Sequence, residues 1–256
     1  MSNELRSYII RLLDKGKRMD GRAPLEYRPI KLEYGYTKTA EGSAKIIVGE
    51  TEMIAGVKLE VSQPYPDAPD MGTIMVGAEL IPLANPDFEQ GPPSIEAVEL
   101  ARVVDRGIRE SKALDFRKLC LEAGEKAWTV MIDLVPLNSD GGLFDASALV
   151  ALAALKDTKF PSYDGKSIDY KAPTEQRLEV EKEPIAVTVY KVGPHFVLDP
   201  TAEEEKEMDA RLTITSTANG ELCALQKGGD YALTEQDILQ MADIALEKAA
   251  ELRKFL

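Results

Sequence analysis

Two consecutive glycines set the tightest limit on how this chain can fold. Gly141 and Gly142 follow a strand-like run, Trp128 to Val135, and precede a helix-like run, Ala146 to Lys156. Strand, Gly-Gly, helix leaves free backbone N–H groups and the positive end of a helix dipole at one spot, which suits a phosphate. A phosphate binder adds hydroxyl or basic side chains there. This loop continues instead as Leu143, Phe144 and Asp145. The Asp145 carboxylate is expected to satisfy the helix end itself and to repel an incoming anion. On its residues alone, Asn138 to Asp145 reads as a turn plus helix cap.

A length of 256 residues fits one large domain or two small ones and is enough to bury a real core. No apolar run approaches the roughly 20 residues of a membrane helix. Met1 to Leu13 alternates charged and apolar residues, so no signal peptide is expected. Cys120 and Cys223 are the only cysteines, which fits reduced, buried thiols in a cytoplasmic protein. His195 is the only histidine; with Pro194 and Phe196 beside it, a structural place at a strand end is expected, and no metal site. The net charge of −13 argues against non-specific nucleic-acid binding over the whole surface. The sign is uneven, however. Residues 1–31 carry eight Lys/Arg against four Asp/Glu, and residues 199–211 carry six acids against two bases. An acidic protein that handles an anionic polymer must concentrate its arginines in one place.

Apolar spacing predicts a helix over Glu4 to Lys17 ended by Gly16, then strands at Ala44 to Val48, Met53 to Val61 and Thr73 to Leu80. A helix starts at Ser94 as N-cap with Ala97 at its N3 position and runs to Lys112; residues 116–126 suggest a further short helix. Residues 157–184 have no apolar period and four breakers, Pro161, Gly165, Pro173 and Pro184. They read as a linker with at most one short edge strand between a first subdomain, 1–156, and a second, 185–256. The second half predicts strands at Ile185 to Val192, His195 to Leu198, Leu212 to Thr217 and Glu221 to Leu225. A closing helix follows, capped by Thr234 with Asp237, its apolar face holding Ile238, Met241, Ala242, Ala245, Ala249, Leu252 and Leu256. Two similar halves, each of strands followed by helices, make an α+β fold. The acidic run from Asp199 to Asp209 reads as a solvated helix start.

On the 94–112 helix, Ala97, Leu100, Ala101, Val104 and Ile108 share one side. Arg102, Arg106 and Arg109 share the other, at spacings that make them neighbours. Glu99 and Asp105 offset part of their repulsion. The stripe is either a solvated, locally paired face or an outward array of guanidinium forks for phosphates. Lys112, Arg117 and Lys118 extend the positive region, with contact to an anionic ligand or to solvent left open.

Taken in order, Arg18-Met19-Asp20-Gly21-Arg22, Gly42-Ser43-Ala44, Gly49-Glu50-Thr51, Glu99-Leu100-Ala101-Arg102 and Asp140-Gly141-Gly142 resemble the RNase PH family over nearly the whole chain. The resemblance implies an RNase PH-like fold (ribosomal protein S5 domain 2-like). Active members degrade RNA from its 3′ end with phosphate as nucleophile and form six-subunit rings. Within the family the chain is most similar to the non-catalytic RNase PH-like subunit of the archaeal exosome ring. Active relatives place Thr or Ser and Arg after the double glycine, where this chain has Leu143, Phe144 and Asp145. They carry a catalytic, metal-holding Asp-rich run where this chain has Asp199 to Asp209. The Ala101 to Ser111 segment is similar to that subunit's RNA-facing helix.

The resemblance therefore implies a partner, the catalytic RNase PH-like exosome subunit, in three alternating heterodimers. RNA-binding cap subunits and single-stranded RNA complete the set. Arg102, Arg106 and Arg109 would hold RNA, with no catalytic residue, metal or cofactor in this chain. Inorganic phosphate, and Mg2+ where used, would belong to the partner. Two alternatives stay open: an active phosphorolytic 3′→5′ exoribonuclease, and a purely structural ring module.

Overall fold

The structure, a computed structural model, describes the backbone of residues 2–256 and the side chains from residue 4 onward. The first half comprises α1 (Ser2–Leu13), β1 (Ile30–Tyr34), β2 (Gly42–Val48), β3 (Thr51–Ser62), β4 (Thr73–Ala78), α2 (Ile95–Glu110), β5 (Cys120–Glu122), β6 (Lys126–Asn138) and α3 (Leu143–Asp157). A hairpin of β7 (Lys159–Tyr163) and β8 (Ile168–Arg177) follows. The second half holds β9 (Ile185–Val192), β10 (His195–Leu198), the one-turn α4 (Ala202–Glu205), β11 (Ala210–Ser216), β12 (Leu222–Gly228) and α5 (Glu235–Leu252).

The strands form a six-stranded sheet in the order β1-β2-β3-β6-β4, with β5 also paired to β6, and a four-stranded antiparallel sheet in the order β10-β9-β11-β12. Only β4 runs parallel to its neighbour β6 in the larger sheet. Period-two burial along β3, where Met53, Ala55, Val57 and Leu59 are inward, fixes that sheet's register against β6. α3 is apolar on almost every side and buried from Leu143 to Leu155, save Ala148. It contacts β2 and β3 of one sheet and β9 of the other. A helix apolar all round must lie between layers.

The second sheet has two buried faces. Thr188, Tyr190, Arg211 and Thr215 look toward α2 and the start of α3: Thr215 lies against Gly107, and the Arg211 guanidinium stacks on the Phe144 ring at 4.5 Å. Lys191 looks the other way and pairs with Asp237 of α5 at 2.6 Å. The layers are therefore sheet, α2 with α3, sheet, α5.

The mixed α+β order and most element bounds match the sequence reading. The predicted Ser94 cap forms, its side chain accepting from Ala97 N–H at 3.1 Å. So does the capping box of Thr234 and Asp237. Four expectations need correction. Residues 116–126 are a single 3-10 turn, Phe116–Leu119, followed by β5. The 157–184 segment is a two-stranded hairpin rather than a linker with one edge strand. Its Phe160 is buried with the ring 5.5 Å from Trp128. Pro161 opposite Pro173 and the register shifts around them hide it from pattern reading, because prolines are tolerated only at sheet edges. Ile238 is 39% exposed although its wheel position faces inward. It lies in the first turn, and a wheel ignores where along its axis a helix meets its sheet. Finally α1, placed in the first subdomain by order, packs Ile9 and Leu13 on Val192 and Val197 of the second sheet.

Candidate functional site

Both loop glycines adopt left-handed backbone, with φ of 77° at Gly141 and 71° at Gly142. A Cβ on Gly141 would lie 2.4 Å from the Pro200 carbonyl, and one on Gly142 would lie 2.7 Å from Asp199 Oδ1. The double glycine thus admits the 199–202 loop of the second half into contact with the first. Thr51 fixes the loop from below: its hydroxyl donates to the Gly141 carbonyl at 2.8 Å and accepts from Asp140 N–H at 3.0 Å.

Asp145 does not cap α3, contrary to the sequence expectation. Its carboxylate turns away from the helix end and accepts from Tyr27 OH at 2.6 Å and from Thr188 N–H at 2.7 Å. Burial pushes its pKa up to about 7, against the pull of those two donors. The anion at the helix start is Glu205, whose Oε2 accepts from Gly142 N–H at 3.3 Å while Oε1 accepts from Tyr190 OH at 2.8 Å. Burial raises the Glu205 carboxyl as well. A carboxylate from the second half therefore occupies the place that the strand, Gly-Gly, helix geometry offers to an anion.

The acidic run does open a helix, α4, capped by Thr201, but it is solvated only in part: Glu203 is exposed and Glu204 is buried. Asp199 sits in left-handed backbone at φ 45° and takes a fork from Arg28, Oδ1 at 2.6 Å and Oδ2 at 2.9 Å. Arg22 adds a bond to Asp199 Oδ2 at 3.1 Å. Arg28 also reaches the carbonyls of Asp140 at 2.7 Å and Gly141 at 3.1 Å. Burial alone would lower the Arg28 pKa; the bonds and charge of Asp199 outweigh it and hold it above its usual value. Arg18 is buried on Glu204, at 3.1 Å from Nε to Oε1, and donates to the Leu198 carbonyl at 2.7 Å. The basic start of the chain and the acidic 199–211 run are thus the two sides of one lock. Asp199, Glu204, Glu205 and Asp209 of that run are each engaged, whereas the Glu203 and Glu207 carboxylates have no partner among the described residues. Among the described residues no group of three or more His, Cys, Asp or Glu side chains is placed to hold a metal ion.

Beside the loop lies a cavity of about 220 Å³ whose walls include Phe88, Leu100, Leu143 and Phe144, with Glu96 and Glu205 among its acids. Burial raises the Glu96 carboxyl. Lys206 in the same lining is paired with Asp87 at 2.6 Å, so apolar walls with these carboxylates disfavour a phosphate dianion.

The three candidate arginines share the outer arc of α2 but differ in state. Arg102 is exposed and makes no hydrogen bond or ion pair among the described residues. Arg106 is half-buried, equally unpaired, and lies along a crevice with Thr213, Thr215 and Gln226 of the second sheet. Arg109 is committed. It grips both oxygens of Asp105, at 3.1 and 2.8 Å, donates to the Ile74 carbonyl at 3.1 Å, and stacks on Phe116. Glu99, expected to offset the stripe, pairs with Arg211 at 2.6 Å instead. Arg117 stands 3.5 Å from Asp70, and Lys118 is held 2.7 Å from both Glu179 and Glu181, so those two are paired on the surface; Lys112 is exposed in left-handed backbone. His195 stands at the start of β10, the strand end expected, and meets Asp14 at 2.9 Å.

Sequence reasoning missed Glu205, Tyr27 and Arg28 as the residues that close the loop. The opposed charge excess of residues 1–31 and 199–211 was the available signal.

With that geometry in view, comparison with known proteins places the chain. Residues 26–161 match the 3′ exoribonuclease family, domain 1, and residues 182–248 match domain 2 of the same family. The chain belongs to the 3′ exoribonuclease, or RNase PH, family. It is 45% identical to the exosome complex component Rrp42 of Methanosarcina acetivorans, over 97% of this chain and 91% of that one. It is 44% identical to the Rrp42 of Thermococcus gammatolerans, over 100% of this chain and 95% of that one. Among solved structures, a chain of the Archaeoglobus fulgidus exosome with RNA bound to the active site gives a TM-score of 0.92 at 42% identity, covering 99% of this chain and 98% of that one. Rice Rrp46, at 17% identity and a TM-score of 0.69, shares the fold alone.

Proposed function

We propose that this chain is a ring subunit of an archaeal-type exosome that carries no active site of its own. It alternates with a catalytic RNase PH-like subunit, three of each, in a hexameric ring that degrades single-stranded RNA 3′→5′ by phosphorolysis. RNA-binding cap subunits dock on that ring, in the cytoplasm. The partner holds inorganic phosphate, and Mg2+ where it is used. The observation that carries this reading is the closure of the glycine loop by Glu205 and by the Arg28–Asp199 fork.

Phosphorolysis drives a phosphate dianion at a phosphodiester, so positive groups must be in place before the two anions meet. At the glycine loop of this chain the cations are already neutralised. On α2 they are not. Arg102 and Arg106 stand free to steady RNA phosphates, and Arg109, tied to Asp105, contributes less. Phosphate contacts carry no base information, so the RNA held here is read without sequence preference. A ring module with no RNA role would be favoured by an arginine face sealed with ion pairs; among the described residues only Arg109 of the three is so sealed. The test is to mix the chain with a catalytic RNase PH-like subunit and measure solution mass and nucleoside diphosphate release. A six-subunit particle that releases nucleoside diphosphates with phosphate is expected. A chain that stays monomeric with every such partner overturns the reading.

A further inference from the structure

A second surface combines bases and an aromatic ring away from α2. An open cleft of about 660 Å³ runs between the turn that precedes β2 and the β7–β8 hairpin. Lys38 and Lys171 stand at its edges, both exposed and neither in an ion pair among the described residues. Tyr170 lines it with 49% of its surface exposed, and the Lys58 ammonium lies 4.6 Å from its ring centroid. Pro161 and Pro173, paired across the hairpin, give it an apolar wall.

The acids of the cleft are already occupied. Glu41 accepts from Lys58 at 2.6 Å and from Leu59 N–H at 2.9 Å. Asp157 accepts from Ser43 N–H at 3.1 Å. Glu175, just outside, pairs with Lys159 at 3.4 Å. Two ammonium groups without a partner among the described residues, in one cleft with a half-exposed ring whose other face is open beside Lys58, are the elements of a single-strand platform: cations for the backbone, a π-face for a base. The volume lies within the range of small-ligand pockets. In a chain of net charge −13, unpaired lysines beside an aromatic ring are a local exception to the overall sign.

We propose that this cleft is a second RNA contact, holding one or two nucleotides of single-stranded RNA through Lys38 and Lys171 to phosphate and Tyr170 to a base. It rests on the reading that the chain handles RNA, and it adds a contact separate from the α2 face. A longer RNA would touch both, so affinity depends on RNA length.

The experiment is ultraviolet cross-linking of a uridine-containing 30-nucleotide RNA to the ring reconstituted with the catalytic subunit, followed by peptide mass spectrometry. An adduct on Tyr170 is expected, alongside adducts near α2. Lys38→Glu with Lys171→Glu removes the Tyr170 adduct, weakens binding of the long RNA about tenfold at low salt, and lowers the salt slope of log affinity by about 1.4. Tyr170→Ala weakens it about fivefold or more. Adducts near α2 without one on Tyr170 overturn this inference and leave the function standing. No adduct anywhere overturns both. A poly-glutamate peptide that binds the cleft, with no Tyr170 adduct from RNA, makes it an acidic-peptide site and also overturns the proposal.

Discussion

Two groups of arginines in this chain have opposite fates. Arg18, Arg22 and Arg28 are buried or nearly so, and each is bound to a carboxylate of the second half; Arg18 and Arg22 also bind carbonyls there, and Arg28 those of Asp140 and Gly141 in the glycine loop. Arg102 and Arg106 lie on a helix face with no side-chain partner among the described residues. The first group has its ligand built into the protein. The second does not. The same side-chain chemistry thus serves as a fastener where an internal carboxylate completes it, and where none does it leaves the guanidinium open to the RNA phosphates that we propose it holds. The glycine loop sits on the fastened side, which is why it offers phosphate no unneutralised charge.

The largest effect belongs to the fastener. Arg28→Ala leaves Asp199 buried beside the loop without its fork, and loss of one partner of such a pair costs about 3–5 kcal/mol. Denaturant unfolding of the variant measures this; a cost under 1 kcal/mol would mean that the lock is incidental.

A second prediction concerns pH. Asp145 ionises near 7 when folded and near 3.8 when unfolded. The folded state therefore holds the proton more tightly, and the Asp145 contribution to stability falls as pH rises from about 4 to about 7. Asp145→Asn should flatten that window, removing a pH-dependent loss of roughly 2–4 kcal/mol, read as melting temperature against pH. An unchanged slope would place Asp145 outside the closed side of the comparison.

The open side makes the next prediction. Arg102→Glu with Arg106→Glu in the reconstituted ring should weaken RNA binding about tenfold or more at low salt and leave the melting temperature unchanged. Unchanged affinity and rate would remove the RNA path from α2. The smallest effect is that of Arg109→Ala. It removes an i,i+4 pair worth about 0.3–0.5 kcal/mol and should cost RNA affinity less than the loss of Arg106. If Arg109 matters more, the Asp105 pair opens when RNA arrives and the boundary between the two groups must be redrawn.

The sequence made the fold largely legible, because β3 alternates, the Ser94 and Thr234 caps are local signals, and α3 is apolar all round. The β7–β8 hairpin was not legible, since its strands are mostly exposed and its prolines imitate a linker. At the site, the change after the double glycine could be read directly. Its physical meaning could not. The carboxylate at the helix end comes from Glu205, 63 residues beyond Gly142, rather than from the adjacent Asp145. Local spacing favoured the near acid; tertiary packing chose the distant one. Likewise the stripe of three arginines was visible as a stripe, but Asp105, one turn before Arg109, separates it into two free members and one bound.

The most direct test of the closed loop is the chain on its own. Purified without partners and given RNA, orthophosphate and Mg2+, it should release no nucleoside diphosphate, because Glu205 already occupies the anion position at Gly142. Phosphate-dependent release of nucleoside diphosphates by the isolated chain would contradict the account.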